Sequence, residues 1–214
     1  MMKKRFGEIK TYDDWINPRI CSNALEILDK EIPKYKDDIK SVHLCFTTDP
    51  FMFGYSDVSD LSIKIMKKLN DNNIKCTCLT KGILPTELSE LSKVNEYGIT
   101  LVSLDEKFRE KYEPNTASYD ERINSLKKLS EKGCYTWVSI EPYPSPNIIE
   151  QSLIEILNKV SFVDKIIFGR WHYNKKISEY KNVKDFYNQQ ADIVIKFCNE
   201  NNISYHIKEG TITK

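Results

Sequence analysis

Apolar runs and amphipathic helical patterns alternate along the chain. Short runs with the length and composition of buried strands occur at 41–47, 74–79, 99–104, 135–140, 163–169 and 203–207. Apolar residues at helical spacing predict helices at 24–35, 59–69, 84–94, 118–131, 148–160 and 183–200. Strands that recur every 25–40 residues or so, with a helix in each interval, are typical of parallel βαβ units.

The number and order of these elements define the predicted architecture. Six strands are too few to close an eight-stranded barrel, so we predict an α/β fold, a partial (β/α)6 barrel of the TIM type, as a single domain over residues 1–214. An open doubly wound sheet is the competing architecture. The pattern opens with a helix after about 20 irregular residues, whereas a β/α barrel begins with a strand, so we expect the first βα unit to be absent. The polar segment 171–182 is the predicted mobile loop.

Composition narrows the class of protein only slightly. The 32 basic and 31 acidic side chains give a net charge of +1, so no strong field favours nucleic acid or an anionic membrane, although a local groove for nucleic acid stays open. No apolar run reaches the roughly 18 residues of a membrane span. The basic start at residues 1–5 is not followed by the apolar stretch of a secretory signal, so we predict a cytoplasmic protein.

The chain has six cysteines, which in a cytosolic protein are more typical of reduced thiols than of disulfides. Cys76 and Cys78 alternate within an apolar run, so on a strand they share one face. We predict a buried structural role for this pair and no metal site.

Polar motifs follow several of the predicted strands, and β/α enzymes hold their chemistry at the carboxyl ends of strands. Thr48 and Asp49 follow the first strand and could bind ammonium and hydroxyl groups, or only form the turn before Pro50. Lys81 follows the second strand and could reach a carboxylate or phosphate, or be a solvated loop lysine.

The later strands carry further candidates. Thr100 and Ser103 are three apart on the third predicted strand, so at most one of them points into the barrel. Glu113 could pair with Arg122, either as a structural ion pair or as a holder of a ribose or carboxylate. Ser118 and Glu121 predict a capping box at the start of the helix that carries Arg122. The remaining candidates lie at the last three strand ends, and they are Ser139, Glu141, Arg170, Trp171 and Lys208.

The strand that ends in Thr-Asp-Pro, the strand end Leu79-Thr80-Lys81 and the motif at 112–115 followed by Arg122 resemble radical S-adenosylmethionine (radical SAM) proteins. The nearest resemblance is to the branch of spore photoproduct lyase and DNA-repair lyases. It implies a partial β/α barrel in which a CxxxCxxC motif holds a [4Fe–4S] cluster. That cluster cleaves S-adenosylmethionine reductively to give a 5′-deoxyadenosyl radical.

By position, the resemblance implies that Thr48 and Asp49 meet the methionine part of S-adenosylmethionine and that Lys81 lies near its carboxylate. It implies ribose contacts at Thr100 or Ser103, and places Ser139 and Glu141 near the adenine. Glu113 and Arg122 match the helix start below the ribose site. The resemblance assigns no catalytic residue and no protein metal ligand in this chain.

One feature departs from the family, because no CxxxCxxC motif occurs in this sequence. We therefore expect the chain as written to be a truncated or inactive radical SAM protein that does not assemble the cluster. One alternative is a cluster-free β/α protein that binds a nucleotide-like ligand or a partner. Another is an ordinary β/α-barrel hydrolase or lyase that uses Asp49, Glu141 and Lys208.

Partners are only weakly predicted. The substrate is not readable from the sequence, and nucleic acid follows from the resemblance alone. An exposed sheet edge where the first strand is expected would favour a homo-oligomer.

Overall fold

The computed structural model describes residues 10–11, 14, 18–45 and 47–213. Fourteen elements follow one another in these residues: α1 (Ala24–Tyr35), β1 (Ser41–Leu44), α2 (Ser56–Asn70), β2 (Lys75–Thr80), a 3-10 helix (Thr86–Glu90), β3 (Glu96–Thr100), α3 (Glu106–Tyr112), α4 (Tyr119–Glu131), β4 (Tyr135–Tyr143), α5 (Leu153–Lys159), β5 (Lys165–Arg170), α6 (Lys175–Ser178), α7 (Val183–Glu200) and β6 (Ser204–Ile207). None of the helices described is long and apolar enough to cross a membrane.

The strands form one six-stranded sheet in the order β1-β2-β3-β4-β5-β6, and every neighbouring pair is parallel. Because right-handed crossovers in a sequential order place all connecting helices on the same face, the other face becomes the inside of a barrel. The predicted partial β/α barrel is therefore confirmed, and the doubly wound alternative, which needs helices on both faces, is wrong.

The two faces of the sheet differ in chemistry. Register places one alternating set of residues against the helices, and this set is mostly apolar and buried: Leu44, Cys76, Cys78, Tyr97, Ile99, Val138, Ile140, Ile166 and Phe168. The inner face carries polar or small residues, including His43, Thr77, Gly98, Thr100, Ser139 and Gly169. The indole of Trp137 covers Gly98, where a Cβ atom would lie 2.3 Å from Trp137 Cε2.

Several predicted elements differ in their bounds from the observed ones. The helix predicted at 84–94 is only the 3-10 helix at Thr86–Glu90, because Pro85 and Leu91 on either side of it are extended. The third strand begins at Glu96, three residues before its predicted start. The Glu96 carboxylate pairs with Lys75 of the neighbouring strand, so a charged residue occupies a sheet position that hydrophobic patterning does not detect.

The same strand ends at Thr100, so Ser103 lies in the following loop and not on the strand. Both side chains are buried. The first strand ends at Leu44, three residues before its predicted end, because Cys45 has a left-handed backbone (φ 61°). The predicted capping box is confirmed, since Ser118 and Glu121 each accept a hydrogen bond from the other's backbone amide.

Candidate functional site

The loop after β1 is fastened to the end of β2 by Asp49. Its carboxylate accepts hydrogen bonds from the amide of Phe51 (2.9 Å), the hydroxyl of Thr80 (2.5 Å) and the amide of Lys81 (2.7 Å). Gly82 permits this close approach, because a Cβ atom there would lie 1.8 Å from the carbonyl oxygen of Phe51. Asp49 therefore organises the loop that carries Thr48, whose side chain is exposed at the carboxyl edge of the sheet.

Lys81, Glu113 and Arg122 form a continuous ion-pair chain beside this loop. Lys81 Nζ lies 2.8 Å from Glu113 Oε1, and Arg122 Nη1 lies 2.9 Å from Glu113 Oε2. The side chains of Glu113 and Arg122 are 3% and 0% exposed, whereas that of Lys81 is 36% exposed. Only the lysine end of the chain is therefore open to a ligand.

Arg122 is held by protein groups on all sides. Its guanidinium donates to the carbonyl oxygens of Ala117 and Thr100, each at 3.0 Å, and to the hydroxyl of Thr116 at 2.6 Å. Its Cζ atom lies 5.0 Å from the centre of the Tyr119 ring, at cation–π distance. With Glu113, Arg122 ties the start of α4 to the end of β3, so both residues shape the site without facing it.

Three further predicted residues contribute hydroxyls near the same edge. Thr100 and Ser139 are register partners on β3 and β4, and both are buried on the inner face. Ser103, in the loop beyond, accepts a hydrogen bond from the amide of Asp105 (3.1 Å) and so helps to start α3. The structure thus brings Thr100 and Ser139 together, and gives Ser103 a local role.

A second pair of charged residues lies on the inner face, toward the β6 end of the sheet. Glu141 near the end of β4 and Lys208 just after β6 approach to 3.4 Å, with side chains 29% and 44% exposed. The two residues are separated by the width of β5, and Gly169 of β5 lies beneath the Glu141 side chain. A Cβ atom at Gly169 would lie 2.9 Å from Glu141 Cγ and Cδ.

Arg170 and Trp171 do not join this group. Because side chains alternate along a strand, Arg170 points to the helix side, where its Cζ lies 5.7 Å from the centre of the Tyr187 ring of α7. Burial raises the pKa of Tyr187 to about 12, so this ring stays neutral beneath the guanidinium. Trp171 makes an edge-to-face contact with Tyr112, with ring centres 5.6 Å apart, and so connects the end of β5 to the end of α3.

The cysteines of the described residues do not form a cluster site. No three His, Cys, Asp or Glu side chains in residues 10–11, 14, 18–45 and 47–213 are grouped to hold a metal ion. Cys21 and Cys45 are exposed, and the other four are buried as free thiols. Burial raises the pKa of Cys76 to about 12 and that of Cys198 to about 11, which opposes the thiolate form that iron requires.

Sequence reasoning missed the residues that act through small size or through the backbone. Thr80 and Thr116 complete the hydrogen bonds of Asp49 and Arg122, and Gly169 makes the Glu141–Lys208 contact sterically possible. For Gly169 the only signal in the sequence was a glycine next to the end of a predicted strand. That signal does not reveal which side chain lies over the glycine.

The chain has the fold of a parallel, sequentially ordered β/α barrel, a class in which enzymes hold their active-site residues at the carboxyl ends of the strands. The particular family follows from comparison with known proteins. Residues 18–160 match the model of the radical SAM superfamily, and because this match covers more than half of the chain, the chain belongs to that superfamily.

Individual relatives are more distant. The chain is 25% identical over 152 residues to uncharacterized protein ORF301 of Acidianus two-tailed virus, which covers 68% of this chain and 48% of the viral protein. Streptococcus suis SuiB bound to S-adenosylmethionine has a similar fold, with TM-score 0.62 and 16% identity over 89% of this chain and 43% of SuiB. Spore photoproduct lyase complexed with dinucleoside spore photoproduct gives TM-score 0.58 and 12% identity over 96% of this chain and 70% of the lyase. The chain thus spans about half the length of the viral relative and less than half of SuiB.

Proposed function

We propose that this chain binds S-adenosylmethionine at the carboxyl edge of its sheet, and that binding does not require iron. Membership of the radical SAM superfamily supports the ligand, and SuiB, whose structure was solved with S-adenosylmethionine bound, has the same fold. The observation that carries the proposal is the Lys81–Glu113–Arg122 chain, in which two buried residues hold one accessible ammonium at the edge of the barrel.

Lys81 is the proposed contact for the methionine carboxylate. An ammonium has three N–H donors, and Glu113 lies against only one side of it, so donors remain for a ligand. Glu113 and Arg122 are positioning residues in this account, because their side chains are too deeply buried to touch a ligand. The resemblance had implied that these two residues border the site, and their burial supports that limited role.

The rest of the ligand would lie over the inner face. Thr48 is exposed in the loop that Asp49 fastens to the Lys81 amide, so it is the candidate for a further polar contact. Thr100 and Ser139 are as deeply buried as Glu113, so we assign them no direct contact with the ligand. When bound, S-adenosylmethionine supplies a sulfonium centre that a reductant can cleave. Asp49 is not a proposed ligand contact, since its carboxylate already accepts three hydrogen bonds from the chain.

The radical step itself is not assigned to this chain. A [4Fe–4S] cluster needs thiolate ligands, and the cysteines of the described residues are dispersed and mostly buried. The hydrolase or lyase alternative gains no support from the geometry, because Asp49 shares no hydrogen bond or ion pair with Glu141 or Lys208 in the part of the chain described. Nucleic acid as a partner and a homo-oligomeric state both stay predictions.

Decarboxylated S-adenosylmethionine, which lacks only the carboxylate, provides the sharpest test of the role of Lys81. We expect the wild-type protein to bind S-adenosylmethionine about 10-fold or more tightly than the decarboxylated compound, because a hydrogen bond to a charged group contributes roughly 1.5–3 kcal/mol. In Lys81→Met the two compounds should bind equally, whereas Lys127→Met, which removes an exposed lysine on α4, should keep the preference. A preference that survives in Lys81→Met would remove the proposed contact.

A further inference from the structure

We propose that Glu141 and Lys208 form a binding site for the α-amino-acid group of a second ligand, separate from S-adenosylmethionine. The ligand ammonium would bind Glu141 and its carboxylate would bind Lys208. The ligand class is a free α-amino acid, or a larger molecule with an intact α-amino-acid head group. This inference does not depend on the proposed function, because it rests on a different set of residues.

The pair is built across a strand and not between neighbours. Glu141 belongs to β4 and Lys208 follows β6, so the two side chains meet above β5. They can do so because Gly169 has no side chain, and a Cβ atom there would lie 3.0 Å or less from three atoms of Glu141. The Glu141 side chain therefore occupies the space above Gly169 and crosses β5 toward Lys208.

The backbone on both sides of the pair is fixed. The Lys208 amide donates to the carbonyl oxygen of Phe168 (2.8 Å), and the Lys208 carbonyl accepts from the amide of Thr211 (3.1 Å). Glu141 lies within the long strand β4, directly before Pro142. Glu141 is thus held within a strand and Lys208 directly after one, so both charges are positioned by the sheet.

Accessibility separates this pair from the buried ion pair on the other side of the barrel. Glu141 and Lys208 are both partly exposed, and their contact of 3.4 Å is an ion pair without an aligned hydrogen bond. An exposed ion pair contributes little to stability, so a ligand can insert between its members at small cost. Lys208 keeps ammonium donors and Glu141 keeps carboxylate lone pairs for that ligand.

Charge balance selects a zwitterion. A ligand with only a carboxylate would satisfy Lys208 but leave Glu141 facing a like charge, and a simple amine would repel Lys208 in the same way. A ligand that carries both groups on one carbon satisfies both side chains and leaves the net charge of the site unchanged. The observed arrangement of one acid and one base therefore favours the α-amino-acid group over singly charged compounds.

The rim next to the pair offers a surface for the ligand side chain. The His172 ring packs against Gly210, two residues after Lys208, with Cε1 3.3 Å from where a Cβ atom would lie. Tyr173 beside it is fully exposed and has a left-handed backbone (φ 57°), which is rare for an aromatic residue. The His172 ring beside Gly210 favours an apolar or aromatic side chain on the ligand.

The test uses three matched probes, L-phenylalanine, 3-phenylpropionate and 2-phenylethylamine, titrated into the full chain and followed by ligand-observed NMR. We expect L-phenylalanine to bind at least 10-fold more tightly than either singly charged analogue. Lys208→Met and Glu141→Gln should each weaken L-phenylalanine at least 10-fold, while Lys184→Met, an exposed lysine on α7, should have no effect. Gly169→Ala should weaken it as well, because the added methyl group displaces Glu141.

Several results would overturn the inference. These are no binding of L-phenylalanine to the wild-type protein, equal binding of the three probes, or undiminished binding to Lys208→Met. S-adenosylmethionine titrated into Lys208→Met separates the two proposals. If the affinity of Lys208→Met for S-adenosylmethionine is unchanged, the second site is distinct. If that affinity is lost, the Glu141–Lys208 pair holds the head group of S-adenosylmethionine itself, and the inference is wrong.

Discussion

The Glu113 carboxylate lies 2.9 Å from the Arg122 guanidinium in a place where both side chains are almost completely buried. A buried ion pair costs desolvation free energy and is retained only when further hydrogen bonds complete it, as Thr116 and two carbonyl oxygens do here. The outer oxygen of Glu113 is left for Lys81. The buried pair therefore fixes where the accessible ammonium stands.

Removal of one member of this pair should destabilise the protein strongly. We expect Glu113→Gln and Arg122→Met each to lower the free energy of unfolding by about 3–5 kcal/mol, because an unpaired charge or donor group stays buried. Urea denaturation followed by circular dichroism measures the change. The double variant should lose less than the sum of the single losses, and simple additivity would argue against direct coupling of the two side chains.

Lys81→Met should affect the affinity for S-adenosylmethionine more than it affects stability. The Lys81 side chain is partly exposed, and Glu113 keeps its ion pair with Arg122 when the lysine is removed, so we expect a smaller loss of unfolding free energy than in Glu113→Gln or Arg122→Met. Affinity for S-adenosylmethionine should fall about 10-fold or more, as for the loss of a hydrogen bond to a charged group. Unfolding and titration of the same sample separate the two effects, and a Lys81→Met protein that loses stability but keeps its affinity would assign this lysine to structure.

The capping box at the start of α4 gives a prediction on stability and pH. We expect Ser118→Ala to cost about 1 kcal/mol of unfolding free energy, the usual effect of losing an N-cap side chain. The Ser118 hydroxyl and amide lower the pKa of Glu121 below its ordinary value of 4.5. A lowered folded-state pKa means that the Glu121 contribution is present above pH 4.5 and is lost as the pH falls through the folded value.

This pH dependence is measurable as the difference in unfolding free energy between wild type and Glu121→Gln. The difference should be constant near neutral pH and should shrink as the pH falls below the ordinary carboxyl pKa. A difference that grows on acidification would have the wrong sign for this hydrogen bond.

Thiol chemistry tests the arrangement of the cysteines. Only Cys21 and Cys45 are exposed, so we expect two of the six thiols to react with a disulfide reagent in the native protein and all six after unfolding in urea. Iron and sulfide added anaerobically should leave no stoichiometric iron on the protein after desalting, because no three thiols converge in the residues described. Four irons retained per chain would contradict the structure.

The sequence was most informative where local chemistry decides the structure. The alternation of apolar runs and helices predicted the parallel barrel, and Ser118 with Glu121 predicted the capping box, since both follow from patterns that are local in the sequence. The pairing of Glu113 with Arg122 could be anticipated because the two residues lie on either side of the same helix start, although its role, structural or ligand-holding, was left open.

Relations between distant strands could not be predicted in the same way. The predicted start of β3 was wrong because Glu96 is charged and its partner Lys75 lies on another strand. The role of Gly169 depends on Glu141 of the neighbouring strand, and the commitment of the Asp49 carboxylate depends on Thr80 and Lys81. These relations follow from register across the sheet, which a single sequence does not specify.

We propose that the carboxyl edge of this barrel binds S-adenosylmethionine through Lys81 without iron. Isothermal titration of S-adenosylmethionine into metal-free protein tests it most directly, with Lys127→Met as the matched control. We predict one site per chain, lost or weakened about 10-fold or more in Lys81→Met and unchanged in the control. No binding to the metal-free wild-type protein, or equal affinity in Lys81→Met, would contradict the claim.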